Sequence, residues 1–166
     1  CSYEVDGEAL GHFNPLPLLL HVCMAVAGLR QHSGDVYTLL AELYSNALEH
    51  GILQLPSAWK DGPDGFARYY AERERRLANL HGHSIRFGLE HCGRNHGGRL
   101  VIRCRDSGPG FDPNNLPGPA TAYAGRGFTL IRQLSSSLTF NKQGNEAEVV
   151  YDWELTGNGG GRTEYE

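Results

Sequence analysis

Apolar residues recur every three or four positions in three stretches of the chain, and a fourth stretch is almost wholly apolar, so four helices are predicted. Residues 16–29 are almost wholly apolar and follow Asn14-Pro15, a pair typical of helix starts, so the first helix should be buried. A second helix should begin at Ser33 as its cap and end at Gly51. Residues 66–80 predict an amphipathic third helix, and a short fourth helix should follow a glycine pair near residue 126.

Alternating apolar and polar residues predict strands elsewhere. Residues 85–90 and 100–105 alternate on either side of a turn, so they should form a hairpin, and residues 137–141 and 147–155 should add two more strands. A further strand at the N-terminus is a weaker expectation. By parity, Asp106 should point to the same side as the apolar residues of its strand, toward the helices. A carboxylate aimed into a covered cleft needs a partner.

These elements predict an α+β fold: a two-layer sandwich with helices on one face of a mixed, mostly antiparallel sheet. The open face should carry Val101, Arg103 and Arg105. We expect one domain over residues 1–156, with a helical insertion at 55–82. Residues 111–124 should form a long loop, and the glycine-rich residues 157–166 a flexible tail.

Composition narrows the functional classes. The chain has 166 residues, enough for one domain with a core, and its net charge of −4 argues against a nucleic-acid surface. The four cysteines lack metal-site spacing, which favours a reduced, cytoplasmic protein. The longest apolar run is too short to cross a bilayer. The chain starts at Cys1 and its only methionine is Met24, so we expect a segment of a longer protein.

The most informative stretch lies within the second predicted helix. Glu42 and Asn46 stand one helical turn apart beside an apolar stripe, so both side chains can face the same cleft. A glutamate can take a proton from a nucleophile, and an asparagine can offer oxygen to a hard cation such as Mg²⁺. The alternative is that both are solvated surface residues, as most such pairs are.

Two glycine-containing segments follow in order. Asp106-Ser107-Gly108-Pro109-Gly110 ends the second hairpin strand, and Gly125-Arg126-Gly127 precedes the fourth helix. Glycines before a helix expose backbone N–H groups that can bind an anion, although most such pairs are plain turns.

Together the three segments resemble the GHKL superfamily of ATP-binding domains, which includes gyrase, chaperone and histidine-kinase types. This superfamily has three short sequence motifs, called boxes, and the segments that resemble them are Glu42 to Ala47, Asp106 to Asp112 and Gly125 to Ile131. The Asn-Ala-x-x-His-Gly ending of the first box, with Gly-x-Gly-Phe-Thr-Leu-Ile in the third, is most similar to the anti-sigma-factor serine-kinase branch. The resemblance covers about residues 14–155.

The resemblance implies roles for individual residues. Glu42 would be the general base, Asn46 would hold Mg²⁺ on the phosphates of ATP, and Asp106 would accept a hydrogen bond from the adenine amino group. Four glycines and one aromatic residue would contact or closely approach the nucleotide: Gly108, Gly110, Gly125, Gly127 and Phe128.

The remaining role concerns the γ-phosphate. Arg126 is the only basic residue between Arg105 and Arg132, which makes it the candidate; the alternative is a lid arginine that points to solvent.

Two features depart from the family pattern. The insertion at 55–82 is absent from the smallest members, and resembles one in multidomain bacterial regulators that join a receiver and a phosphatase to this kinase module. The last strand opens with Asn145-Glu146-Ala147, where many members have a small hydroxyl residue, which puts one nucleotide contact in doubt.

The resemblance implies an ATP-dependent serine kinase that phosphorylates an anti-sigma-factor antagonist and also binds a sigma factor or an anti-sigma factor. Homodimer formation is left open. A second hypothesis is a nucleotide-sensing module without catalysis that sequesters a regulatory protein. Histidine-kinase activity is disfavoured because no dimerising helix with an acceptor histidine precedes the core.

Overall fold

Five strands form one sheet in a computed structural model that describes residues 1–60, 63–115 and 126–155, with only the backbone at Asn115 and Arg126. Within those residues all four strand pairings are antiparallel, in the order β1-β2-β3-β5-β4, so the sheet is more uniform than the mixed one expected. The strands are Ser2–Asp6 (β1), Ser84–Arg94 (β2), Gly97–Asp106 (β3), Ser137–Phe140 (β4) and Glu146–Glu154 (β5).

The helices pack against one face of this sheet and complete the predicted two-layer α+β sandwich. The α-helices are Gly7–Leu10 (α1), Leu16–Met24 (α2), Ser33–Ser45 (α3), Gly65–Leu77 (α4) and Arg126–Leu134 (α5). A π-helical segment, Asn46–Ile52, continues α3, and short 3₁₀ turns lie at Leu29–His32, Ser57–Lys60 and Pro113–Asn115.

Side-chain direction in β3 follows the predicted parity. Leu100, Ile102, Cys104 and Asp106 are all buried beneath the helices. On the opposite face Arg103 pairs with two glutamates, which matches the expectation of a charged open face.

The first predicted helix is too long by five residues, because α2 ends at Met24. Gly28 takes a left-handed conformation with φ of 89°, and a Cβ there would lie 2.5 Å from Leu155 Cδ2. A residue in this conformation cannot belong to a right-handed helix, so the helix could not extend to residue 29. The predicted cap at Ser33 is also wrong: Ser33 is the first residue of α3, which continues from the preceding 3₁₀ turn.

The second predicted helix does not stop at Gly51. After Asn46 its hydrogen bonds widen to the π pattern, as in the 2.8 Å bond from the N–H of Leu53 to the carbonyl of Leu48. Such widened turns occur frequently at functional sites. Here the segment places Gly51 directly beside Asp106 at the end of β3.

The insertion contributes α4, whose Tyr69 is fully buried. Phe66 and Tyr70 of the same helix are exposed. On its surface Glu72 pairs with Arg75 and Arg76. Residues 116–125, most of the predicted loop, and the predicted tail at 157–166 lie outside the described residues.

Candidate functional site

A cavity of about 1210 Å³ lies between the helical layer and the ends of β3 and β5. It is larger than the range of about 300–1,000 Å³ typical of small-molecule sites. All three segments singled out in the sequence reach it: Glu42 and Asn46, then Asp106 and Gly110, then Gly127 and Phe128. Residues far apart in the chain thus share one pocket.

The first pair faces the start of α5. Glu42 is half-buried, and this burial raises the pKa of its carboxyl above the usual 4.5, an effect that the Lys60 ammonium partly offsets. A Cβ at Gly127 would lie 2.5 Å from Glu42 Oε2 and 3.3 Å from Asn46 Nδ2. A side chain at position 127 would therefore displace the Glu42 carboxylate, so glycine lets the beginning of α5 lie against this pair.

Asn46 presents an unsatisfied polar group. Its Nδ2 atom is buried and has no hydrogen-bond partner among the described residues. Buried amide groups normally have one, so this carboxamide is suited to a polar ligand. The orphaned NH₂ lies beside Gly127 and can donate to a phosphate oxygen, which leaves the carboxamide oxygen for a metal ion.

No cluster of three or more histidine, cysteine, aspartate or glutamate side chains able to hold a metal ion occurs among residues 1–60, 63–115 and 126–155. A protein-only metal cage is not what Mg²⁺ needs at a nucleotide site, because phosphates and water supply most of its ligands. One asparagine oxygen is compatible with that arrangement.

At the other end of the cavity, Asp106 is buried at the end of β3. Its Oδ1 accepts a 2.8 Å hydrogen bond from the backbone N–H of Gly108, and burial raises the pKa of the carboxyl above 3.8 despite this bond. A Cβ at Gly51 would lie 2.6 Å from the Asp106 carboxylate, so the carboxylate rests on the glycine backbone. The carboxylate remains within the lining of the cavity.

The two glycines after Asp106 serve close backbone packing. A Cβ at Gly108 would lie 2.1 Å from the Gly51 carbonyl oxygen, and one at Gly110 would lie 2.0 Å from the Gln143 carbonyl oxygen. Gly110 has a φ of 79° and lines the cavity, while Gly108 packs behind Asp106. Gly110 thus borders the cavity, whereas the close approach of Gly108 is to the Gly51 backbone and the Asp106 carboxylate.

The third segment is only partly described. Gly125 lies outside the described residues, and for Arg126 the backbone alone is placed, as the first residue of α5. Phe128 lines the cavity and packs edge-on against Phe140, with ring centroids 5.2 Å apart. Phe111 makes a similar contact with Phe140, so three aromatic rings form one wall.

The cavity lining includes residues that were not assigned to the site from the sequence, among them Lys60, Gly51 and Asn145. Lys60 comes from the insertion, Gly51 was interpreted only as a helix stop, and Asn145 only as a departure from the family pattern. Asn145 is buried, and its Oδ1 accepts a 2.8 Å bond from Asn141 Nδ2.

Neither a scan against protein-family models nor a search of curated proteins found a match to this sequence. The functional interpretation therefore rests on the residues and the geometry of the cavity. None of the helices in the described part of the chain combines the length and apolar character needed to cross a membrane.

Proposed function

We propose that this domain is an ATP-dependent protein serine kinase of the anti-sigma-factor type. The observation that carries the proposal is the shared cavity, in which Glu42 and Asn46 of one segment face Gly127 of a second, and Asp106 of a third lies at the far end. ATP would bind in a single orientation in this cavity, with its adenine at Asp106 and its phosphates near Glu42.

Each end of the cavity suits its part of the nucleotide. The Asp106 carboxylate can accept a hydrogen bond from the amino group that adenine carries at C6, where guanine carries a carbonyl oxygen that cannot donate. The first turn of α5 presents backbone N–H groups near Gly127, and a helix N-terminus favours phosphate. Arg126 is our candidate from the sequence for the γ-phosphate.

Asn46 would hold Mg²⁺, which when bound neutralises charge on the phosphates. Glu42 would accept the proton of the acceptor serine while the serine oxygen forms a bond to the γ-phosphorus. The bond from that phosphorus to the bridging oxygen breaks, and ADP leaves with the electron pair. A half-buried carboxylate with a raised pKa is a stronger base than an exposed one, which favours this role over a solvated surface glutamate.

The proposed substrate is an anti-sigma-factor antagonist, with a sigma factor or an anti-sigma factor as a further binding partner in the cytoplasm. The net charge of −4 suits protein partners better than nucleic acid. The described cysteines are all free thiols, as expected in a reducing compartment.

The test is transfer of labelled γ-phosphate to purified antagonist proteins by wild type and Glu42→Ala. We expect transfer to serine by wild type and a loss of about 10²–10⁴-fold in the variant, with ATP still bound. Regulation by nucleotide binding alone predicts instead partner sequestration unaffected by Glu42→Ala. If wild type binds ATP but phosphorylates none of the antagonists, the kinase proposal is wrong.

A further inference from the structure

A buried carboxylate of the π-helical segment binds side chains of the insertion, residues 55–82. Glu49 has a side chain that is 10% exposed, and it binds three groups from the insertion. Its Oε2 accepts a 2.7 Å hydrogen bond from the Tyr69 hydroxyl and lies 3.3 Å from Lys60 Nζ, while its Oε1 lies 3.0 Å from Arg73 Nε. Both cations therefore depend on the same carboxylate.

These two cations differ in what else they face. Lys60 lines the cavity that holds Glu42, Asn46 and Asp106, whereas Arg73 does not. The Lys60 ammonium is close enough to Glu42 to lower the pKa of that carboxyl. It also lies over the Tyr69 ring, 4.3 Å from the centroid, which restricts its position further.

The cavity needs positive charge if it is to hold a polyphosphate. Among its described lining residues, four carry carboxylates: Glu42, Asp106, Asp112 and Glu146. The permanently charged cations among them are Lys60 and Arg132. Arg132 is exposed, so Lys60 is the cation that buried contacts hold in place beside Glu42.

We propose that Lys60 binds the terminal phosphate of the nucleotide, so that the insertion forms part of the ATP site. Glu49 and Tyr69 hold the ammonium at the Glu42 end of the cavity, where the phosphates lie if the proposed function is correct. A lysine ammonium has three donors, of which the Glu49 contact uses one. The others can bind phosphate oxygen.

The experiment compares Lys60→Met with Arg73→Met in titrations of the full chain with ATP, ADP and AMP in the presence of Mg²⁺. Each variant removes one cation from Glu49, but only Lys60 lines the cavity. We expect Lys60→Met to weaken ATP binding about 10-fold and to leave AMP binding within about twofold, since one charge-assisted hydrogen bond is lost. Arg73→Met should leave all three affinities within about twofold.

Two controls separate an effect on binding from an effect on folding. The first is thermal unfolding of Lys60→Met and Arg73→Met, and the second is a Lys60→Arg variant. Lys60→Arg keeps the charge and should recover most of the ATP affinity. Equal losses of ATP and AMP affinity, or an unchanged ATP affinity with a lowered unfolding temperature, would show that Lys60 is only structural. Failure of wild type to bind any adenine nucleotide would instead overturn the proposed function itself, and this inference with it.

Discussion

At the scale of single residues, the cavity contains carboxyls whose surroundings differ. Burial raises the pKa of both Glu42 and Asp106, but only Glu42 faces the first turn of α5 and a nearby ammonium. Asp106 instead accepts a backbone hydrogen bond and rests on glycine. Two similar groups are thus suited to two tasks, proton acceptance at one end and recognition of a base at the other.

The raised pKa of Glu42 predicts how phosphotransfer depends on pH. A general base must be deprotonated, so kcat/KM should fall as pH drops through a pKa above 4.5. Since the Lys60 ammonium lowers this pKa, Lys60→Met should move the acidic limb to higher pH. The measurement is a pH–rate profile, with ATP affinity followed over the same range as the control.

The Glu42→Gln variant should lose the acidic limb of the pH–rate profile together with most of the phosphotransfer rate. A profile with the same acidic limb in wild type and Glu42→Gln would exclude Glu42 as the base.

At the scale of elements, the sequence predicted the strands better than the ends of the helices. Alternation in β3 correctly placed Asp106 inward, because parity depends only on the pleat of the strand. The widening of the helix after Asn46 was not predicted, and the widened segment contacts β3, which lies far away in the sequence. Lys60 gave no local signal either, since the residues that hold it are Glu49 and Tyr69.

The attachment of the insertion through Glu49 predicts a pH-dependent contribution to stability. Burial would raise the pKa of Glu49, but the hydrogen bond from Tyr69 and the charges of Lys60 and Arg73 outweigh it and hold the pKa below 4.5. A lowered pKa stabilises the fold at pH above the unfolded value, and this contribution is lost as pH falls through the folded value.

Glu49→Gln should therefore lower the free energy of unfolding by about 2 kcal/mol at pH 7 and by clearly less near pH 3. Urea denaturation at the two pH values measures this difference. Glu74→Gln, on the exposed side of α4, is the control and should change the free energy of unfolding by less than about 0.5 kcal/mol. A loss for Glu49→Gln that is equal at both pH values would show that its ion pairs contribute nothing.

At the scale of the whole molecule, an antiparallel sheet and a covering helical layer bring three distant segments to one cavity. The resemblance of the three segments to an ATP-binding family implied this convergence, which periodicity alone did not, and residues of all three line the cavity. The wall formed by the insertion was not predicted. It depends on contacts of Glu49 with Lys60, Tyr69 and Arg73, which no local pattern encodes.

The most direct test of one ATP held by all three segments is a calorimetric titration with ATP and GTP, with and without Mg²⁺. We expect wild type to bind one ATP per chain, more tightly with Mg²⁺ and in preference to GTP. Asn46→Ala should remove the Mg²⁺ dependence, and Asp106→Asn should weaken ATP by about 10–100-fold and reduce the preference for adenine. Absence of ATP binding to wild type, or binding that neither substitution changes, would contradict the shared site.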